Sequence, residues 1–91
     1  MRLDVYLKLT RLIPKRTLAK EFTKAGLVEV NGNVAKSSYS VKPADEIVIN
    51  RRDHVIRVRV LAVPETKQVS KKNAGSFYEL LARETIDPLF D

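Results

Sequence analysis

At Gly26 the hydrophobic pattern of this 91-residue chain changes period, and that switch constrains the fold more than any other feature. Before it, Leu3, Tyr6, Leu7 and Thr10 recur at helical spacing with Arg2, Lys8 and Arg11 between them, which predicts a first helix over Leu3–Leu12. Ile13-Pro14 ends it, because proline disfavours α geometry in the residue before it and suits the first turn of a following helix. A second helix is expected from Lys15 or Arg16 to Ala25. At 100° per residue Leu18, Phe22 and Ala25 fall within about 60° of one another, and Arg16, Lys20 and Lys24 span about 80° on the opposite side. One face is core and the other a basic ridge. Gly26 stands where helices close on a left-handed residue.

Beyond Gly26 the period is two. Val28 and Val30 flank Glu29, and Asn31-Gly32 follows at once, the strongest short signal for a hairpin with a type I′ turn. The return strand is expected over Asn33–Lys36, and Ser37–Ser40 reads as a loop or irregular edge. Val41–Glu46 reads as a turn, Ile47–Ile49 as a strand, Arg51–Asp53 as a turn and His54–Val63 as the longest strand, in which Ile56, Val58 and Val60 alternate with Arg57 and Arg59. Pro64–Asn73 reads as a polar, mobile connector, Ser76–Thr85 as a last helix on the spacing of Phe77, Leu80, Leu81 and Glu84, and the tail after Pro88 as frayed. The fold class is α+β: two N-terminal helices on a small antiparallel sheet of three to five strands, with a C-terminal helix. Residues 1–63 form the domain, and 64–91 a basic connector with a helix and tail.

Charge narrows the function. Seventeen Lys and Arg against eleven Asp and Glu leave +6, and the isoelectric point near 9.8 exceeds the value of about 9 that marks nucleic-acid-binding domains. The segment from Arg2 to Lys24 holds seven bases and two acids, so the positive field sits on the two helices. A solvated charged face and a nucleic-acid interface both satisfy that asymmetry, and arginine favours the second because its planar fork pairs bidentately with phosphate. The absence of cysteine excludes disulfides and thiolate metal sites. With no long apolar run near the start, and none of the roughly 18 residues that span a bilayer, a cytoplasmic location is expected.

Catalytic constellations are missing from the pattern: there is no nucleophile with a base, no metal cluster and no glycine-rich phosphate loop. The single histidine, His54, reads as a solvated surface residue, and Asp45-Glu46 as turn chemistry. Leu3, Leu7, Leu18, Phe22, Val28 and Val30 read as core, and Tyr6 as a core residue before a base-stacking one. No enzyme activity, metal or cofactor is expected. The candidate RNA-binding residues are Arg2, Arg11, Lys15, Arg16, Lys20 and Lys24 on the ridge, with Asn31 and Lys36 flanking it.

In order and spacing, Arg2-Leu3-Asp4, Leu7, Lys15-Arg16-Thr17-Leu18-Ala19, Gly26-Leu27-Val28-Glu29-Val30-Asn31-Gly32 and Pro43-Ala44-Asp45-Glu46-Ile47 resemble the small S4-like RNA-binding domain, over about residues 1–49. Further blocks, Arg11-Leu12-Ile13, Asn31–Lys36, Val41-Lys42-Pro43, Val55–Val60 and Phe77-Tyr78, make nearly the whole chain similar to RqcP-type stand-alone members of that family. Those serve ribosome-associated quality control and are related to the heat-shock protein that recycles large ribosomal subunits. The resemblance implies a factor that binds large-subunit rRNA on obstructed subunits and stabilises P-site peptidyl-tRNA while an RqcH-type factor adds a C-terminal alanine tail, with no membrane or DNA partner. A subunit recycling or assembly factor, or a basic protein-interaction module, remains open beside it. Two departures stand out. Ala44 replaces a usual glycine, which implies that its turn needs no positive φ; Pro14-Lys15-Arg16 replaces a serine-containing helix start, with Pro14 compensating by presetting φ in the first turn.

Overall fold

The structure, a computed structural model, describes residues 1–65 and 69–85. In chain order it contains α1 (Leu3–Leu9), α2 (Arg16–Lys24), β1 (Val28–Val30), β2 (Asn33–Val34), β3 (Glu46–Asn50), β4 (His54–Val60), a 3₁₀ turn (Ala74–Phe77) and β5 (Tyr78–Thr85). The strands make one sheet in the order β2-β1-β3-β4-β5, each pair antiparallel. Val28, Val30, Ile47, Ile49, Val58 and Val60 point to the face on which the helices lie, and they form one core with Leu3, Tyr6, Leu7, Ile13 and Ala19. The Asn31-Gly32 turn is of type I′, with φ of 52° and 86°, and it pairs Val30 with Asn33 across a two-residue loop.

The two helices end by the same device. Gly26, at φ 76°, donates to the Thr23 carbonyl while Leu27 donates to that of Phe22, the paired bonds that close a helix on a left-handed residue. In α1 the left-handed residue is Arg11, at φ 61°, donating to Lys8, so the helix stops at Leu9, three residues before the expected end and well ahead of Pro14. Thr10 helps to end it by donating its hydroxyl to the Tyr6 carbonyl, and the reversal turns Ile13 into the core. Pro14 lies outside α2, whose N-cap is Lys15 with no side-chain capping bond; it therefore presets no φ in the first turn.

The buried stripe of α2 is rotated from expectation. Ala19 and Thr23 are buried, Leu18 and Phe22 are half-buried and Ala25 is exposed, so the inward axis lies about 60° closer to Arg16 than apolarity alone predicts. Contacts with distant residues account for it: Thr23 hydrogen-bonds its hydroxyl to Ser37 as well as to the Lys20 carbonyl, and the Arg51 guanidinium covers the outer face of the Phe22 ring at 5.3 Å.

Two further expectations are overturned. Ser76–Thr85 is not a helix: after the 3₁₀ turn it is β5, paired with β4 along its length. The backbone groups on that edge of β4 need partners, and β5 supplies them with a bulge at Leu81, where the pairing steps from Arg57↔Ala82 to Val58↔Leu80. The extra residue breaks the alternation of period two and leaves apolar positions at helix-like intervals. Ala44 does adopt a positive φ, 76°. Lys42-Pro43-Ala44-Asp45 is closed by the Asp45 N–H on the Lys42 carbonyl, a type II turn whose third residue must be left-handed. The expected frayed tail after Pro88 lies outside the described residues, as does part of the connector.

Candidate nucleic-acid interface

The segment 37–41 holds the start of α1. The Leu3 N–H donates to the Tyr39 carbonyl (2.8 Å), the Asp4 N–H to that of Ser37 (3.2 Å), and the Val41 N–H to that of Met1 (2.9 Å). The first two satisfy helix-start donors that have no partner within the helix, and together the three place Arg2 just outside α1 with Asp4 in its first turn. Asp4 is fully buried. Its carboxylate accepts Arg2 Nε at 3.1 Å on Oδ1, Arg16 Nε at 3.2 Å on Oδ2, and the Val5 N–H at 2.9 Å. Arg2 also reaches Oδ2 through Nη2 at 3.4 Å.

A single carboxylate thus gathers guanidiniums from the starts of both helices. Each arginine side chain remains nearly half exposed, 47% for Arg2 and 46% for Arg16. Arg16 hydrogen-bonds Asp4 through Nε alone. Burial pushes the Asp4 carboxyl up, but the hydrogen bonds and charges of Arg2 and Arg16 outweigh it and hold the group below the usual carboxylate range. At neutral pH the trio is one anion between two cations, net positive, with free guanidinium edges in the geometry that suits a phosphate oxygen pair.

Lys8, Arg11, Lys15, Lys20 and Lys24 are all exposed, and none makes an ion pair among the described residues. The rotation of α2 sets the ridge on the flank of the helix beside the buried stripe, not opposite it, which is what allows Arg16 to reach Asp4. Asn31 and Lys36 belong to a different neighbourhood, the hairpin side. There the Asn31 amide donates to Asp45 Oδ1 at 3.0 Å and accepts the Glu46 N–H at 2.9 Å, while its own N–H donates to the Glu46 carbonyl. Asn31 is engaged in holding its turn, and both it and Lys36 are exposed.

Asp45, read from the sequence as turn chemistry, is the centre of that neighbourhood. Buried, it accepts the Asn31 amide, the Tyr39 hydroxyl at 2.9 Å and the Lys42 N–H at 3.0 Å. Burial raises its pKa, yet the three donors together lower it below the usual value, and the carboxylate in turn pushes the Tyr39 hydroxyl up. Because Tyr39 also accepts the Leu3 N–H, Asp45 ties the hairpin turn to the segment that positions Arg2.

The S4 domain model matches residues 1–47. The RQC P-site tRNA stabilizing factor of Halalkalibacterium halodurans is 46% identical over 86 residues, 94% of this chain and 96% of that protein; that of Bacillus subtilis is 41% identical over 94% and 98%. The chain belongs to the S4-domain family of RQC P-site tRNA stabilizing factors. The trimeric structure of Vibrio cholerae heat shock protein 15 superposes with a TM-score of 0.79 at 26% identity, covering 90% of this chain and 82% of that one.

Within this S4-domain chain the matched region ends in β3, so α1, α2, the hairpin and both aspartate centres fall inside it, and the pairing of β4 with β5 outside it. The motif Arg2-Leu3-Asp4 has a physical reading that spacing alone did not reveal: its arginine and aspartate bind each other, and Leu3 between them is core. Tyr6 is buried and donates to the Phe77 carbonyl at 2.8 Å, tying α1 to the start of β5. Arg51, read as a turn residue, donates to the Leu12 carbonyl besides covering Phe22. His54 is only 17% exposed at its side chain and bonds Asp53 at 2.6 Å, which corrects its reading as a solvated residue. No helix is long and apolar enough to cross a membrane among the described residues.

Proposed function

We propose that the protein is an RNA-binding factor of the large ribosomal subunit that grips large-subunit rRNA and P-site peptidyl-tRNA on obstructed subunits, and so holds the tRNA while an RqcH-type partner adds a C-terminal alanine tail. The observation that carries this reading is the pair of half-exposed guanidiniums, Arg2 and Arg16, oriented on buried Asp4 amid five further exposed cations. Their relatives' name, P-site tRNA stabilizing factor, points to the same use. Recognition of paired RNA rests on shape and backbone, because an A-form duplex hides its base edges in a deep, narrow groove. Clamping suffices: a bridge that favours one state by about 2.7 kcal/mol shifts a population roughly 100-fold. No bond is made or broken, and the task places the protein in the cytoplasm.

Sedimentation of tagged wild type and Arg2→Ala/Arg16→Ala through a sucrose gradient of lysate, with fractions probed for tRNA and alanine-tailed chains, tests the reading. Wild type is expected on free large subunits with peptidyl-tRNA, and the double variant at the top. Both proteins at the top would overturn the ribosomal assignment, and loss of the gene without loss of alanine tails would overturn the tailing role.

A further inference from the structure

A groove of about 490 Å³ lies along α1 against the segment that follows β4. Two chemistries meet on its wall. Val5, Leu9 and Pro64 make an apolar floor, while Arg2, Lys8 and Arg16 supply cations. Arg2 and Arg16 are the residues that Asp4 holds through Nε, and both side chains, nearly half exposed, line the groove.

We propose that this groove is a nucleotide slot, taking one unpaired base of the RNA against the apolar floor while Arg2 and Arg16 hold that nucleotide's phosphate. The proposal rests on the RNA-binding reading above and specifies its substrate class: RNA with a bulged, looped or terminal unpaired nucleotide. Phosphate binding alone requires cations and gives no use to an apolar floor beside them. A nucleobase does, because its faces are weakly hydrated and stack on apolar and guanidinium surfaces, whereas bases inside a duplex are unavailable for such burial. The volume lies within the range of about 300–1,000 Å³ typical of small-ligand pockets, ample for one nucleoside. Glu65, also on the wall, repels phosphate and offers an acceptor to an exocyclic amino group, so the phosphate belongs at the arginines. An acidic peptide with an apolar side chain is the competing occupant.

The test uses two RNA hairpins with the same number of phosphates, one carrying a single bulged 2-aminopurine and the other the same base paired, bound at one salt concentration by wild type and Val5→Gln. Wild type is expected to bind the bulged hairpin at least tenfold more tightly, with a change in 2-aminopurine emission on binding. Val5→Gln, neutral and compatible with a helix, is expected to lower that preference at least threefold while binding the paired hairpin as wild type does. The wild-type emission change stands as a readout even if the variant misfolds. Equal affinity of wild type for both hairpins, with unchanged emission, overturns the slot and leaves the RNA-binding reading intact. Binding to neither hairpin, with binding to a labelled peptide of alternating Glu and Leu, overturns both.

Discussion

Asp4 is an anion at the middle of the proposed RNA-binding surface, and the sign of its effect separates two roles. If it only offset charge, its removal would raise the net charge from +6 to +7 and tighten RNA binding. If it orients Arg2 and Arg16, as its 3.1 and 3.2 Å bonds indicate, its removal frees two long side chains and weakens binding, because the order they now have must be imposed when RNA binds. Asp4→Asn keeps one acceptor for Arg2 and the Val5 N–H but turns an amide donor toward Arg16 Nε or releases it. A loss of about 1–2 kcal/mol in RNA affinity is expected, read as a 5- to 30-fold rise in Kd by fluorescence anisotropy on a protein shown by circular dichroism to be folded. Tighter binding by the variant would show that Asp4 merely screens. Arginine is required on both sides of the carboxylate for the same reason: lysine has no second edge with which to bind Asp4 and phosphate together.

At the scale of elements, turns decide where the arginines stand. Segment 37–41 clamps α1, and the type II turn at Lys42-Pro43-Ala44-Asp45 delivers Asp45 to the hairpin and to Tyr39. That turn carries a defect. Ala44 is exposed and left-handed, a conformation that crowds Cβ against the backbone, and Pro43 preceding it already suits the second position of the turn. Ala44→Gly loses no packing and relieves the crowding, offset in part by the extra freedom of glycine in the unfolded chain. A gain of about 0.5–1 kcal/mol is expected, visible in urea unfolding with an unchanged m-value, while RNA affinity stays at the wild-type level. A less stable variant would mean that the turn is not held in the left-handed form. The helix-like spacing near the C-terminus carries the complementary lesson: Leu80 and Leu81 were apolar for β5, and the bulge between the two pairing registers, invisible without β4, made them look helical.

The whole molecule is electrically two-sided. The helical layer carries the arginine pair and the exposed lysines, whereas the opposite face of the sheet presents Glu29, Glu46, Glu79 and Glu84 with Arg57 and Arg59, as the cross-strand pairs Glu46↔Arg59↔Glu79 and Val55↔Glu84 place them. The charge distribution therefore favours the helical layer as the proposed RNA-binding face. Acid sensitivity follows from the two buried carboxylates that organise it. Asp4 and Asp45 have folded-state pKa values below the ordinary range, so below about pH 5 the unfolded chain, whose aspartates titrate near 3.9, binds protons that the folded chain does not. Their contribution is present above the unfolded pKa and is lost as pH falls through the folded values. Urea unfolding between pH 7 and pH 2 is expected to show stability falling on the acid side, and Asp45→Asn to flatten that fall while lowering stability at pH 7. A variant with the wild-type acid slope would remove Asp45 from the account.

The chain's own pattern determined the order of its parts: the period switch at Gly26, the Asn31-Gly32 hairpin, two helices before a sheet, and the concentration of positive charge between Arg2 and Lys24. Each of these is local, because backbone periodicity, turn φ and charge are carried by residues within a few positions of one another. What tertiary structure alone decided depends on groups distant in sequence. Arg2, Asp4 and Arg16 meet only because α2 is rotated by Thr23 and Phe22 against their neighbours; Ala44 is forced left-handed because Asp45 must reach Asn31 and Tyr39; and Tyr78–Thr85 becomes a strand because β4 offers it an edge and Tyr6 anchors its start. Local propensity was the weaker term at each of these places, since a buried carboxylate with donors to satisfy, or an open row of backbone hydrogen bonds, outweighs the fraction of a kilocalorie per residue by which one local conformation is preferred over another.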